Sequence, residues 1–259
     1  MDVDGVVANL KNKKANPQML QYIYKELINS MPVALNTGRS LDTVVEKVIS
    51  PLTKNKNNKS FLKNLIVVGE KGGTCMTFDK NGQPQRHIDK SISISPNLQR
   101  DIRDLVAAKY SRSMFYDMPK KTMVSTEMKD GYDMKKYAGD QKLLLLGVKE
   151  IIKKYNLENI LEIELNPIAL DVQHKYVGKH LGIRRILNWI AEKKIRVSNF
   201  TTIGDMPSDI KMAQELNKNN FSIIHVYVGE KEMKGQYPFE VITTERKYEE
   251  GAQEYLSNL

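Results

Sequence analysis

The sequence predicts an α/β fold: a parallel sheet with helices on both faces and a small α+β module inserted into it. At both ends of the chain, short apolar runs alternate with amphipathic stretches, as strands and helices do along a parallel sheet. This alternation breaks in the middle of the chain and resumes after it. With 259 residues, 41% of them hydrophobic, the chain is long enough for such a core and one further module.

The first part of the chain supplies two helices, two strands and a hairpin. Apolar residues such as Ile23 and Leu27 are spaced for one face of the first helix, and Ser40 is placed to cap the second. The predicted elements are a helix over 17–29, a strand over 33–35, a helix over 40–49, a strand over 64–68 and a hairpin formed by 76–78 and its turn at 79–82.

The middle of the chain predicts a mixed module. Two helices flank a strand, and two further strands are joined around Asn166 and Pro167. The predicted elements are a helix over 99–110, a strand over 122–127, a helix over 141–155 and strands over 160–165 and 168–172. We therefore expect a core formed by residues 1–80 and 171–259, with an inserted domain over 81–170.

The last part of the chain returns to strand–helix alternation, which again favours a parallel sheet. The predicted elements are a helix over 177–194, a strand over 200–203, a helix over 209–217, a strand over 223–228, a short strand over 241–242 and a terminal helix over 247–259.

Composition argues against several classes of protein. The formal net charge is +9, but the lysines are spread along the chain without interleaved aromatics, so we expect no nucleic-acid partner. No apolar run approaches the roughly 20 residues of a membrane span, and no signal peptide is recognisable. The single cysteine, Cys75, is expected to be a buried packing residue and fits a cytoplasmic location.

Two pairs of aspartates lie near the predicted ends of strands. Asp2 and Asp4 precede Gly5, so both carboxylates can turn toward one site if the chain bends there. Asp205 follows a predicted strand, and Asp209 lies about one helical turn further on. Carboxylates that lie close together repel, so such a pair usually needs a cation or a shared proton, and a divalent cation that prefers oxygen ligands would serve. Taken singly, the first pair also fits an Asx-type turn, and Asp209 fits a favourable first-turn carboxylate.

Two other segments carry groups suited to an anion. Thr37 and Gly38 follow a strand and precede the helix start at Ser40, where a hydroxyl, a backbone N–H and a helix N-terminus come together. Lys179 comes just before a predicted helix, and its charge can neutralise a phosphoryl group. A simple N-cap and a surface lysine are the plainer interpretations, and Lys175 competes for the lysine role.

The order of these segments resembles the haloacid dehalogenase superfamily. A strand-end aspartate pair, a Thr-Gly-Arg sequence, a lysine and a second aspartate pair occur in the order and spacing of its four motifs, and the resemblance covers nearly the whole chain. It is closest to the capped phosphatases, subfamily IIB-like, which include sucrose-phosphate and trehalose-phosphate phosphatases. The resemblance implies a Rossmann-like core with an inserted α+β cap, a Mg²⁺ cofactor and a small phosphorylated substrate.

The resemblance also implies a role for each motif residue. Asp2 would be the nucleophile that forms an aspartyl-phosphate, and Asp4 the general acid and then the base. The implied catalytic residues are Asp2, Asp4, Thr37 and Lys179. The implied substrate-binding residues are Gly38, Arg39, Lys71 and Gly72. The implied ligands of Mg²⁺ are Asp2, the backbone carbonyl of Asp4, Asp205 and Asp209.

Three features depart from the family pattern. Only Met1 precedes Asp2, so the strand expected there is missing or very short, and either the chain is part of a longer protein or the sheet has a gap. Val6 stands where many members carry threonine. Ser208 replaces a frequent asparagine, which is expected to loosen the surroundings of the metal.

The motifs leave other functions open. A phosphomutase of the same fold would use Asp4 equally well, and a non-catalytic member would bind a phosphorylated ligand without turnover. A nucleic-acid-binding protein is the remaining alternative. The family suggests a hydrolase of carbohydrate metabolism, monomeric or homodimeric, whose inserted domain contacts the substrate. Its candidate contact residues are Lys120, Lys121, Glu127 and Asn166.

Overall fold

A computed structural model describes residues 1–10 and 12–258. The chain forms two compact units, one comprising residues up to His87 together with those from Gly178 onward, the other Ile88–Val177. The strands in chain order are β1 (Val33–Asn36), β2 (Leu65–Gly69), β3 (Thr74–Phe78), β4 (Pro84–Ile88), β5 (Met114–Tyr116), β6 (Val124–Met128), β7 (Leu161–Asn166), β8 (Ala169–His174), β9 (Asn199–Gly204), β10 (Ser222–Tyr227) and β11 (Glu240–Thr243).

The helices begin and end at capping residues that the sequence supplies. Asn16 caps the first helix through its side chain, and Ser40 caps the second as predicted. The helices are α1 (Pro17–Ile28), α2 (Leu41–Val44), α3 (Ser50–Thr53), α4 (Pro96–Lys109), α5 (Met134–Lys154), α6 (Lys179–Glu192), α7 (Ile210–Lys218) and α8 (Tyr248–Ser257). A π-helical stretch over Val45–Ile49 joins α2 to α3.

The sheet of the first unit has two halves. One half runs β4-β3-β2-β1, with β1 and β2 parallel, and the other runs β11-β10-β9 with all strands parallel. Met1 and Asp2 lie between β1 and β9. The Met1 amino group donates to the Ala34 carbonyl (2.8 Å), and the Asn36 N–H donates to the Met1 carbonyl (2.9 Å). The Asp2 N–H donates to the Ile203 carbonyl (2.9 Å), so these two residues connect the two halves by hydrogen bonds without forming a regular strand.

Helices cover both faces of this sheet. Alternate residues of β2 point to opposite faces: Leu65 and Val67 belong to the apolar cluster that includes residues of α1 and α8. Ile66 and Val68 belong to the cluster that includes residues of α6 and α7. The predicted α/β core with two covered faces is therefore confirmed.

The second unit is an antiparallel sheet packed against two helices. Its strand order is β5-β6-β8-β7. Leu98 and Ile102 of α4 and Leu144 of α5 lie in one apolar cluster with Val124 and Leu170 of the sheet. The opposite face of β6 and β8 carries polar side chains that are also buried, among them Ser125, Glu127 and Asp171.

Several predicted boundaries are wrong, for local reasons. α5 begins at Met134 instead of residue 141, because the Asp133 side chain accepts a hydrogen bond from the Lys136 N–H and caps the helix there. The helix predicted over 40–49 continues to Thr53. The strand β5 was not predicted at all, since its three residues give too short a pattern.

The boundaries between the two units also lie at later residues than predicted. The inserted unit spans Ile88–Val177 instead of 81–170, because β4 adds to the sheet of the first unit and β8 continues to His174. Cys75, predicted to be a buried packing residue, does pack beside the cluster of α6 and α7, but it is only partly buried. Among the described residues, no helix combines the length and apolar composition needed to cross a membrane.

Candidate active site

Three carboxylates meet where Asp2 and the end of β9 lie side by side. Oxygens of Asp2, Asp205 and Asp209 all lie within 4.8 Å of one another, and all three residues are buried. Asp205 follows β9 directly, and Asp209 ends the short helical turn Pro207–Asp209 that leads into α7. The structure thus brings Asp2 together with Asp205 and Asp209, about 200 residues further along the chain, whereas the Asp4 carboxylate lies outside this cluster and pairs with Arg39.

Lys179 binds two of these carboxylates. Its Nζ lies 2.7 Å from Asp2 Oδ2 and 3.0 Å from Asp209 Oδ1. The same Nζ donates to the Asn36 carbonyl at 2.7 Å, while Asn36 Nδ2 donates to the Lys179 carbonyl at 2.9 Å. Asn36 therefore holds the lysine at its backbone and at its ammonium. No role is predicted for Asn36 from the sequence, because a polar residue at a strand end gives no hint of this contact.

The rival residue Lys175 lies elsewhere in the fold. It is exposed at the end of the second unit, where its N–H donates to the Ile160 carbonyl. The choice of Lys179 over Lys175 therefore agrees with the observed ion pairs.

Burial and mutual repulsion shift the pKa values of this cluster. The pKa of Asp2 is raised to about 6, chiefly by burial and also by Asp209, although Lys179 acts against the shift. The pKa of Asp205 is raised to about 8 by burial and by Asp2 and Asp209. Burial opposes the charged form of Lys179, but the two aspartates outweigh it and its pKa is raised. One ammonium thus faces three carboxylates, which favours a further cation.

The donor set fits a hard divalent cation such as Mg²⁺. Carboxylate oxygens are its preferred protein ligands, and the close oxygens here carry more negative charge than Lys179 balances. Asp2, Asp205 and Asp209 would hold it. The side chain of Asp4 lies outside this cluster, in keeping with a ligand role for its backbone carbonyl only.

Gly5 allows the close approach of Asp205. Its φ is +70°, and a Cβ at this position would lie 2.5 Å from Asp205 Oδ2. Any side chain at residue 5 would therefore be strained in its backbone and would displace a proposed metal ligand.

We expect Gly5→Ala to weaken both folding and metal binding. Gly131 provides a matched control, because its φ is +77° but no atom lies within 4 Å of its virtual Cβ. Gly131→Ala should show only the backbone effect, about 1 kcal/mol. Thermal unfolding in chelator and in Mg²⁺ checks this: Gly5→Ala should also lose most of the stabilisation by Mg²⁺. Equal behaviour of the two variants in Mg²⁺ would contradict the close-approach explanation.

A loop that begins at Thr37, directly after β1, is held by several hydrogen bonds of its backbone groups. Thr37 is buried, and its Oγ1 accepts the Arg39 N–H at 3.2 Å. The Thr37 carbonyl accepts the Lys71 N–H at 2.9 Å, and the Lys71 carbonyl accepts the Gly178 N–H at 2.9 Å. The Lys71 side chain lies along Gly38, its Cε 3.5 Å from a virtual Cβ there. A hydroxyl and a glycine of this loop thus lie beside a lysine from the turn after β2, and such groups are suited to an anion.

Lys71 is also held in an uncommon backbone conformation. Lys71 and Glu70 have φ of 53° and 50°, a region that residues with side chains rarely occupy. Strain of this kind persists where surrounding contacts fix it, often at ligand sites. Gly72, predicted to bind substrate, packs against Leu181 and Gly182 at the start of α6. These contacts indicate a packing role.

Arg39 contacts Asp4. Its Nε lies 2.8 Å from Asp4 Oδ2, and both side chains are partly exposed. Arg39 was predicted to bind substrate; the contact seen in the structure is with the predicted general acid. The pair holds the Asp4 carboxylate in a fixed place outside the three-carboxylate cluster.

The residues of the second unit that were predicted to contact substrate differ in their burial and in their neighbours. Lys120 is buried, and its Nζ lies 3.6 Å from Asp117 and 3.8 Å from Asp171. Glu127 is also buried, whereas Lys121 is exposed. The Asn166 side chain accepts the Ile168 N–H and forms the turn between β7 and β8.

Comparison with known proteins gives structural matches only. No protein-family model and no curated protein sequence matches the chain. The C-terminal domain of trehalose-6-phosphate phosphatase from C. albicans superimposes with a TM-score of 0.66 at 13% identity, over 99% of this chain and 90% of that one. A haloacid dehalogenase-like hydrolase from Bacteroides thetaiotaomicron gives 0.65 at 10% identity, over 99% and 97%. This chain has the haloacid dehalogenase-like fold.

A third match extends the comparison. The N-terminally truncated IMP-nucleotidase from Plasmodium falciparum superimposes with a TM-score of 0.53 at 14% identity, over 99% of this chain and 68% of that one. The haloacid dehalogenase-like fold implied by the motif order is therefore confirmed. Identities this low establish a common fold, and the site residues of this chain must be judged on their own geometry.

Proposed function

We propose that the chain is a Mg²⁺-dependent phosphatase that hydrolyses a small phosphorylated metabolite, a sugar phosphate or related organic phosphate. The observation that carries this proposal is Asp2, a buried carboxylate 2.7 Å from the Lys179 ammonium and beside Asp205 and Asp209. A nucleophilic carboxylate next to cationic groups suits attack on an anionic phosphate. The named neighbours include phosphatases, which supports the same reaction class.

In the first step, a carboxylate oxygen of Asp2 attacks phosphorus and the ester P–O bond breaks. Asp4 gives its proton to the leaving alkoxide, which departs as an alcohol and leaves an aspartyl-phosphate on Asp2. In the second step, water attacks the same phosphorus and Asp4 takes up its proton. The Asp2 carboxylate and inorganic phosphate are released. Arg39 holds Asp4 in position for both proton transfers.

The remaining residues stabilise negative charge. Lys179 fixes the orientation of Asp2 and offsets the charge that gathers as nucleophile and phosphate approach. The Thr37 hydroxyl and the Gly38 N–H would bind phosphate oxygens, with Lys71 beside them. A bound Mg²⁺ supplies Lewis-acid charge stabilisation at the phosphate. The buried position of this cluster strengthens each of these interactions.

The second unit is proposed as the cap that selects the substrate. Its polar sheet face carries Glu127 and Asp171, and Lys120 of the connection before β6 lies near Asp171; all three are buried. Such side chains suit hydrogen bonds to hydroxyl groups, and the proposed substrate class has many of them. A cytoplasmic location and a monomeric or homodimeric state remain predictions from the sequence.

The direct test is phosphate release from p-nitrophenyl phosphate and from a panel of sugar and nucleoside phosphates, in Mg²⁺ and in chelator. We expect hydrolysis of at least one substrate in Mg²⁺ and background rates in chelator. Transfer of phosphate between positions of one sugar, without release, would identify the alternative phosphomutase. Binding without turnover would indicate a non-catalytic phospho-ligand protein, and either result contradicts the proposal.

Binding of Mg²⁺ should tighten as pH rises. A metal ligand must be deprotonated, and the pKa values of Asp205 and Asp2 are raised to about 8 and about 6. Mg²⁺ must therefore displace protons below about pH 8, and its apparent affinity should fall up to about tenfold for each pH unit below that. Mg²⁺ titrations followed by the unfolding midpoint, near pH 6 and near pH 8, measure this. Equal affinity at the two pH values would contradict the assignment.

The protein in chelator should show the opposite trend. Raised carboxyl pKa values mean that the folded state holds protons which the unfolded chain releases. The contribution of Asp2 and Asp205 to stability therefore declines as pH rises from about 4 to about 8, and Mg²⁺ should reverse that contribution. The lowered pKa values of His225 and of the Met1 amino group act in the opposite direction, so Asp2→Asn in chelator serves to isolate the carboxyl contribution. This matched measurement separates metal binding from the pH dependence of the protein itself.

A further inference from the structure

The outward side of α5, in the second unit, carries two protruding leucines. Leu143 and Leu146 are 58% and 60% exposed, although the opposite side of the helix packs Tyr137 and Leu144 into the apolar cluster of that unit. The two leucines are three residues apart, so their side chains lie next to each other on the surface. We call them the leucine pair. Exposed leucines scattered singly are ordinary, whereas an adjacent pair forms a small apolar patch.

A row of lysines follows the same exposed side of the helix. Four exposed residues, spaced seven, seven and four positions apart, form this lysine row: Lys135, Lys142, Lys149 and Lys153. It is about 27 Å long, because each residue of a helix rises about 1.5 Å. Within the described part of the chain no carboxylate forms an ion pair with these four, whereas Lys154 pairs with Asp101 at 2.9 Å. The charge of the lysine row is therefore directed to solvent.

Acidic side chains are scarce on this helix. α5 contains six lysines but only two carboxylates, Asp140 and Glu150, and of these two only Glu150 is exposed. Two copies of the chain that met through this side would bring their lysine rows together, which like-charge repulsion opposes. The charge of this side therefore favours an anionic partner over a second copy of the chain.

The leucine pair and the lysine row together match an anionic lipid surface. A helix that lies on a membrane buries apolar side chains at the boundary between headgroups and acyl chains, while its basic side chains stay at the headgroups. Lysine suits this arrangement, because its aliphatic stem can lie along apolar surface while its ammonium remains in water. The buried side of α5 already fixes the helix in the second unit, so contact with a surface requires no further ordering of its backbone.

A groove beside the lysine row adds apolar area. It has a volume of about 500 Å³ and lies between α5 and β7, and its lining includes Lys149, Lys153, Ile163 and Leu165. Because β7 is an edge strand of its sheet, Leu165 is 45% exposed there. Apolar walls below ammonium groups are complementary to an anionic lipid, whose charged headgroup lies above its acyl chains.

We infer that the outward side of α5 is a docking surface for membranes that contain anionic lipids. The lysine row is attracted to the headgroups, and the leucine pair enters the region just below them. Each lysine near an anionic surface strengthens binding by about fivefold. This role is separate from the proposed phosphatase activity, and its test does not depend on turnover.

The test is co-sedimentation of the full chain with vesicles of phosphatidylcholine, alone or with about 30% phosphatidylserine. We expect binding to be at least about tenfold tighter to the anionic vesicles than to the neutral ones. Raising the salt concentration from about 0.1 M to about 0.5 M should release most of the bound protein, because exposed charges are screened. Equal binding to the two kinds of vesicle, or no binding to either, would overturn the inference.

Charge reversal tests whether this particular side of the protein is responsible. Lys142→Glu combined with Lys149→Glu should weaken binding to the anionic vesicles by at least about 20-fold. Lys211→Glu combined with Lys218→Glu is the matched control, because these exposed lysines have the same seven-residue spacing on α7, where the one leucine, Leu216, is buried. Both variants change the net charge equally, so equal losses of affinity would contradict a docking surface on α5.

The leucine pair is tested separately from the charge. Leu143→Gln combined with Leu146→Gln keeps the lysine row and the helix propensity, and should weaken binding about fivefold or more. The unfolding midpoint should stay close to that of the unsubstituted protein, because both side chains are exposed. A leucine variant that binds anionic vesicles as tightly as the unsubstituted protein would overturn the inference. Binding to poly-glutamate without binding to vesicles would also overturn it, and would indicate an acidic protein partner.

Discussion

Asp2→Asn is expected to abolish turnover while leaving the fold intact. An amide cannot form the acyl phosphate, so kcat should fall by at least about 10⁴-fold, as losses of catalytic nucleophiles do. The substitution preserves side-chain shape and removes one of three repelling carboxylates. Stability in chelator should therefore be equal to or higher than that of the unsubstituted protein, because Asp209 still pairs with Lys179.

Asp4→Asn provides the matched comparison. Asp4 is proposed to protonate the leaving group, and p-nitrophenolate departs readily without a proton whereas a sugar alkoxide does not. Asp4→Asn should therefore reduce hydrolysis of a sugar phosphate more than formation of p-nitrophenol in a single turnover. Asp2→Asn should reduce both equally. An active Asp2→Asn variant would refute the nucleophile assignment, and equal losses on both substrates for Asp4→Asn would refute the acid assignment.

Lys179→Met should destabilise the protein strongly in chelator. Its ammonium lies 2.7 Å from Asp2 and 3.0 Å from Asp209, and removing one partner of a buried ion pair costs about 3–5 kcal/mol. The methionine has similar length and no charge, so the loss would come from the uncompensated carboxylates. Mg²⁺ should restore part of the stability by supplying positive charge, but activity should remain low.

Two further variants decide whether the effect of Lys179→Met is electrostatic. Lys175→Met changes an exposed lysine of the second unit and should alter neither stability nor activity. The double variant Asp2→Asn with Lys179→Met should be less destabilised than the sum of the two single changes, because the pair acts as a unit. Chemical denaturation in chelator gives the free energies of unfolding of the unsubstituted protein, of the two single variants and of the double variant. Additive effects, or a Lys179→Met protein as stable as the unsubstituted one, would contradict the proposed ion-pair network.

Strand–helix alternation and motif order predicted most of the fold. The apolar runs at 33–35, 64–68 and 200–203 all became strands, because each is bounded by turn or capping residues. Local patterns failed where few residues form an element, as in β5, or where a polar cap lies ahead of a weak apolar pattern, as at Asp133. The order of the motifs was more informative than any one of them, since only the fold brings their residues together.

The site contacts that could not be predicted from the sequence all join residues that only the folded chain brings together. Asn36 forms hydrogen bonds with both the backbone carbonyl and the ammonium of Lys179, which lies 143 positions further along the chain. The Arg39–Asp4 pair links two predicted motifs that were assigned separate partners. A glycine is needed at residue 5 because the Asp205 side chain occupies the space that a Cβ would fill. The sequence suggested only that the chain bends at this glycine. None of these contacts leaves a periodic signal in the sequence, because each depends on the mutual placement of separate elements.

Asp2 is proposed to carry the phosphoryl group during turnover. Acid quenching of the protein during steady-state hydrolysis, followed by borohydride reduction and peptide mapping, tests this assignment, because reduction converts an aspartyl-phosphate into homoserine. We expect homoserine at Asp2, formed only when both substrate and Mg²⁺ are present. Hydrolysis that proceeds with homoserine at another aspartate, or with no modified residue at all, would contradict it.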